Sequence, residues 1–268
     1  MKKRVGIVVG LLLILAGLLC LVVWLGGSTP TPLPEVEQRV AEAVTGAVAS
    51  PSPAASVPGT SAGGETPAPY VSPVDFAALQ AGNEDIYAWL YIPGTGINYP
   101  LLQNGENDEL YLDHDSQGEY ASKGALFTQS EYNNRDFTDP VTVIYGHHMR
   151  SGEMFGNLQA LYSDEGGLVQ YRDIYIYLPN EEQRYAAFAA VPFDGYHLLY
   201  YNDFSDSEVY QKFLDKIYAV RAIGANFDEE NLAAPEDQVI ILSTCLSGNN
   251  QRRYLVLAKR IDDRTTTP

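Results

Sequence analysis

The side chains whose types and placing could support nucleophilic chemistry are one cysteine, a pair of histidines and a pair of arginines. Cys245 follows Val239-Ile240-Ile241-Leu242-Ser243-Thr244, a run that reads as a buried strand, and precedes Leu246 to Asn250, a loop by composition. The thiol is therefore expected at the C-terminal end of a strand, where a rigid scaffold presents it. An inert core cysteine would more naturally lie inside the apolar run. A second run, Val141-Thr142-Val143-Ile144-Tyr145, ends in Gly146-His147-His148-Met149 and brings two of the four histidines to another strand end. Histidine exchanges a proton near neutral pH. Successive strand residues point to opposite faces, so one of the pair at most addresses a given site. Arg252 and Arg253 lead into Tyr254-Leu255-Val256-Leu257-Ala258. A hairpin would return an arginine beside Cys245, where its charge could favour a thiolate or donate to an oxyanion. The competing readings are a surface arginine and a zinc site. Two sequential histidines and one cysteine match no recognised zinc spacing. His114 and His197 have no comparable context and read as ordinary polar residues.

Those groups need a frame. Eight short runs, β-branched or aromatic and bounded by Gly, Pro, Asn or Asp, predict strands: Trp89–Ile92, Ile97–Leu101, Gly124–Thr128, Val141–Tyr145, Asp173–Leu178, Tyr185–Val191, Val239–Ser243 and Tyr254–Ala258. Helices are few. Ser72-Pro73-Val74-Asp75 predicts a helix capped by Ser72 that continues past Leu79. Ser205 with Glu208 reads as a capping box ahead of Val209, Phe213, Ile217 and Val220, spaced as one apolar face. A shorter helix is expected within Met154 to Leu161. Irregular strand spacing with few helices favours a mainly β barrel or sandwich over an alternating βαβ sheet.

Flanking segments set the context. Residues 1–4 carry Lys2, Lys3 and Arg4, and Val5–Leu25 is an uncharged run of about 21 residues, long enough at ~1.5 Å per residue to span a bilayer. The basic stub predicts a cytoplasmic N-terminus and an external remainder. The run exceeds a signal-peptide core and Trp24-Leu25-Gly26-Gly27-Ser28 is a poor cleavage site, so a retained anchor is expected. Residues 26–70 hold 8 of the 16 prolines and no aromatic before Tyr70, which predicts a linker with a possible short helix within Glu35–Val48. One domain, residues 71–262, and a tail, 263–268, complete the division. Cys20 lies in the membrane run, so the domain has no partner for an internal disulfide. The chain carries 17 basic and 34 acidic side chains, a net charge of -17. Nucleic-acid binding is excluded for want of a basic surface, and the acidity is read as solubility.

The sequence resembles the sortases, specifically class B. Leu242-Ser243-Thr244-Cys245 with Arg253 looks like that family's L-S-T-C…R pattern, and Tyr145-Gly146-His147-His148-Met149 looks like its Y-G-H-N-M segment, with His148 where Asn is frequent. The likeness also covers Trp89–Thr95, Tyr99-Pro100 and Met154-Phe155-Gly156, and the predicted Ser205–Val220 helix falls where class B members carry an extra helix. What the resemblance implies is an eight-stranded sortase-type barrel and a membrane-bound cysteine transpeptidase. It would cleave the C-terminal sorting signal of secreted proteins and pass the acyl group to an amine of a cell-wall peptidoglycan precursor or a pilin subunit. It implies Cys245 as nucleophile, His147 as general acid/base and Arg253 as oxyanion or substrate stabiliser. Ser243, Thr244 and Leu246 are the implied substrate-binding positions. No metal and no organic cofactor is expected. A cysteine peptidase that only hydrolyses and a noncatalytic wall-binding module are the competing functions.

Overall fold

The computed structural model describes residues 37–42 and 70–261. The expected membrane run Val5–Leu25 lies outside these residues, and among the described ones no helix is long and apolar enough to cross a membrane.

All eight expected runs form strands: β1 (Ile86–Ile92), β2 (Ile97–Leu102), β3 (Leu126–Phe127), β4 (Val141–Tyr145), β5 (Asp173–Tyr177), β6 (Glu182–Asp194), β8 (Val239–Leu246) and β9 (Asn249–Arg260). A two-residue β7 (Asn226–Phe227), unsignalled in the sequence, pairs with β6 outside the ring. Neighbouring strands run β5-β1-β2-β3-β4-β8-β9-β6, and β6 pairs back onto β5. The sheet is thus a closed eight-stranded barrel and not a sandwich, and closure removes the unpaired edge that an open sheet would expose.

Alternation along β8 and β9 explains why their sequences read as continuous apolar runs. Ile240, Leu242, Tyr254, Val256 and Ala258 join the interior core with Leu90, Leu101, Ile144 and Ile176. Their neighbours Val239, Ile241, Leu255 and Leu257 belong to a second core on the outer face. That outer core is covered by the helix Ser207–Tyr218, which buries Tyr210, Phe213, Leu214 and Ile217. At roughly 1.5–3 kcal/mol gross per large apolar side chain removed from water, these four fix the helix on the barrel. The helix begins one residue later than the capping box implies. Asp206, not Ser205, is the cap, accepting from the amides of Glu208 and Val209, while Ser205 bonds Asp203 through its hydroxyl. The buried face is centred on Phe213, Leu214 and Ile217 with Tyr210, and Val209 and Val220 are only half-buried.

Two other helices also differ from expectation. The first is the five-residue Phe76–Gln80, capped by Asp75 accepting from the amide of Ala78, whereas Ser72 receives the amide of Val74. The segment expected within Met154–Leu161 is helical only at Leu158–Tyr162. Within the expected linker, residues 37–42 form a helical turn that buries Val40. The Glu37 carbonyl accepts from Asn98 Nδ2 at 2.9 Å, and Asn98 Oδ1 accepts from Trp89 Nε1 at 2.6 Å.

Candidate active site

Three consecutive strands of the barrel, β4, β8 and β9, carry the chemistry-bearing residues. β4 and β8 are parallel, with Tyr145 opposite Ser243, and the Gly146 amide donates to the Ser243 carbonyl at 3.1 Å. β8 and β9 are antiparallel, and Cys245 is directly opposite Arg253. Residues opposite one another share a face, so Cys245 and Arg253 lie side by side on the outer face, on strands about 4.8 Å apart, while His147 follows two residues after Tyr145, the last paired residue of the neighbouring β4.

The segment expected as a loop after the cysteine is a tight hairpin. β8 runs through Cys245 to Leu246, Leu246 faces Asn249, and only Ser247 and Gly248 turn, with Gly248 at φ 76°. Cys245 therefore sits within the last two residues of a paired strand, half-buried and unpaired with any other cysteine. The register shifts between the Cys245–Arg253 and Leu246–Asn249 pairs, so residues 250–252 of β9 bulge beside the cysteine. Arg253 Nη1 donates to Cys245 Sγ at 3.7 Å, to the Asn250 carbonyl at 3.0 Å and to the Arg252 carbonyl at 3.4 Å. One nitrogen thus serves all three acceptors, and the two carbonyls hold it beside the sulfur. Arg252 is opposite Asp194 on the alternate face and lines a separate groove with Lys216 and Tyr196. The same alternation separates the histidines. His147 Nε2 is 2.7 Å from the Leu112 carbonyl, whereas His148 pairs with Met154 and its buried Nδ1 has no hydrogen-bond partner among the described residues.

The expected substrate-binding positions divide between the faces. Ser243 shares the face of Cys245 and is buried beneath it. Thr244 is opposite Tyr254 of the interior core, 2% exposed, and Leu246 packs against that core, so neither side chain reaches the outer face.

Tyr145 is a site residue that the sequence reading missed. Two positions before His147, it shares that histidine's face, and its stacked contact with Phe127 places its ring on the same wall. Its hydroxyl is buried with no hydrogen-bond partner among the described residues. Burial pushes its ionisation far above the ordinary phenol range, and the nearby Arg253 charge offsets only part of that. The hydroxyl therefore stays neutral. The period of two along β4 was the available signal. Beyond it an aromatic surface runs through His197, Tyr200 and Tyr201, with Tyr145 6.4 Å from the His197 ring and both tyrosines largely exposed. Among the described residues no group of three or more His, Cys, Asp or Glu is placed to hold a metal.

Known proteins carry the same arrangement of strands. A Sortase domain matches residues 90–261. The chain is 33% identical over 170 residues to sortase B of Listeria monocytogenes, covering 62% of this chain and 65% of the relative, so the match spans just under two thirds of that protein's length. It is 29% identical over 195 residues to sortase B of Staphylococcus aureus, covering 69% of this chain and 74% of the relative. The crystal structure of Staphylococcus aureus sortase B superposes with a TM-score of 0.61 at 28% identity, over 72% of this chain and 89% of that one. With a family match across the whole ring of strands from β1 onward and named relatives that are sortases of class B, the chain belongs to the sortase family.

Proposed function

We propose that the chain is a cysteine transpeptidase that exchanges one amide bond for another. The observation that supports this reading is the pairing of Cys245 opposite Arg253, with the guanidinium 3.7 Å from the thiol, next to the strand end from which His147 follows. Outside a cell there is no nucleotide triphosphate to drive bond formation, so a new amide must draw on the energy of an old one. Cys245 attacks a substrate carbonyl and its proton passes to His147. The tetrahedral oxyanion is met by Arg253, and the departing amine takes the proton from His147 as the C–N bond breaks, leaving a thioester. An incoming amine then gives a proton to His147 as it attacks the thioester, and the sulfur leaves with that proton. Ser243 and the Tyr145 hydroxyl line the face on which the substrate lies, while Thr244 and Leu246 support it from within the barrel.

The substrates in this reading are secreted proteins bearing a C-terminal sorting signal, and the acceptor is an amine of a peptidoglycan precursor or of a pilin subunit. Val5–Leu25 would anchor the enzyme with its N-terminus in the cytoplasm and the barrel outside, at the membrane where both substrates are delivered. A sorting-signal peptide library incubated with an amine acceptor tests the reading. Ligated peptide that disappears with Cys245→Ala is the expected result; acid as the sole product would make the chain a hydrolase, and turnover retained by Cys245→Ala would remove the thiol from the chemistry.

A further inference from the structure

His147 stands beyond the paired end of β4, and among the described residues its ring makes one hydrogen bond, from Nε2 to the Leu112 carbonyl at 2.7 Å. A backbone carbonyl only accepts, so Nε2 must carry the hydrogen. Neutral imidazole has a single N–H, and the lone pair therefore resides on Nδ1. Protonation adds a hydrogen at Nδ1 and leaves the bond to Leu112 intact.

The Leu112 carbonyl is itself held. It ends the 3-10 turn Leu110–Leu112, whose Tyr111 carbonyl accepts from the Ala125 amide at 3.0 Å and whose Tyr111 hydroxyl donates to Asp85 Oδ2 at 2.7 Å. Gly124 closes over this turn at φ 58°, a conformation that favours glycine, and a Cβ added there would lie 2.3 Å from the Tyr111 oxygen and 2.9 Å from the Leu112 oxygen. The Leu112 side chain is 41% exposed and takes no part in holding its own carbonyl.

We infer that Leu112, through its backbone carbonyl, is the positioning residue of His147, and that Gly124 keeps this carbonyl within reach, so that Nδ1 is the atom that exchanges the proton. The catalytic consequence rests on the transpeptidase reading; the tautomer does not. Two-bond nitrogen–proton correlation spectra of the full chain with 15N-labelled histidine, assigned against His147→Ala, report which nitrogen is protonated. The expected result is a neutral His147 protonated at Nε2 in the wild type and in Leu112→Ala, which retains the carbonyl. Replacing Asp113 by its α-hydroxy acid turns the Leu112 carbonyl into an ester, a weaker acceptor, without adding bulk. That variant should show mixed tautomers and a kcat for peptide transfer lowered about tenfold with KM within about twofold. Gly124→Ala should do the same where it folds, and the ester variant decides where it does not. A wild-type His147 protonated at Nδ1, or an ester variant with tautomer and kcat unchanged, overturns the inference. An Nε2-protonated His147 in a chain without thiol-dependent transfer would instead overturn the transpeptidase reading and leave the tautomer assignment standing.

Discussion

Arg253→Lys is the most discriminating substitution at this site. In the wild type one guanidinium nitrogen touches two hairpin carbonyls, at 3.0 and 3.4 Å, and the sulfur at 3.7 Å. Its planar fork lets the carbonyls fix the group while other N–H bonds remain aimed outward. A lysine ammonium can reach one of those carbonyls or the reacting centre, with no rigid plane to serve both. Removing one preorganised oxyanion donor costs about 2.7–4 kcal/mol of transition-state stabilisation, a fall in kcat of about 10²–10³. Folding should hardly change, since a half-exposed charged group contributes ~1 kcal/mol or less. Arg252→Lys is the matched control: it faces away from Cys245, and its kcat should stay within about threefold. The assay is peptide ligation followed to saturation, so that kcat and KM separate, with urea midpoints to verify folding. If Arg253→Lys turns over within about threefold of wild type, the guanidinium has no role in the transition state.

Other expectations follow from the same geometry. His147→Ala should abolish transfer and His148→Ala should leave most of it, since alternation sends the second ring to the Met154 side; the opposite result would show that the register beyond Tyr145 has been misread. Phe213→Ala should lower the unfolding free energy by about 3–5 kcal/mol, whereas Val209→Ala should cost under about 1 kcal/mol, and comparable losses in urea titration would contradict the helix face described above. Tyr145→Phe removes a buried hydroxyl that has no partner among the described residues, so stability should hold within ~1 kcal/mol or rise. A loss of transfer rate in that same variant would identify the hydroxyl as a substrate contact.

The strands were legible because each combined β-branched or aromatic residues with clear punctuation, whereas parity said only that one member of each doublet faces a given side, and the choice between members came from the family resemblance. What escaped the sequence had physical causes. Pro192 reads as a stop, yet β6 continues through it to Asp194 because β9 continues opposite it. Ser205 and Asp206 are equally good caps by type, and the apolar spacing that picked out Val209 and Val220 passed over Tyr210 and Leu214, which share the buried face with Phe213 and Ile217. Leu246 to Asn250 is polar enough to pass for a loop, although a Ser-Gly pair needs only two residues to reverse a strand. The Leu112 carbonyl could not be found at all, since a backbone acceptor carries no residue type.

The three groups of the site are held with unequal stiffness, and the inequality follows from topology. Cys245 and Arg253 belong to strands paired without a break from Val239–Lys259 to the site, so sulfur and guanidinium move as one hairpin. His147 has left its strand, and its ties are the carbonyl of Leu112 and its own carbonyl accepting from the Phe155 amide at 3.1 Å. An acyl transfer that first expels one amine and then admits another places its proton at two positions in turn, whereas the carbonyl carbon and its oxyanion return to the same place in both halves. The rigid pair is thus suited to the fixed part of the reaction and the lightly tethered imidazole to the part that changes. Tightening the imidazole, for instance by extending β4 pairing past Gly146, should slow the second half-reaction more than the first, and separate measurement of thioester formation and aminolysis would reveal it.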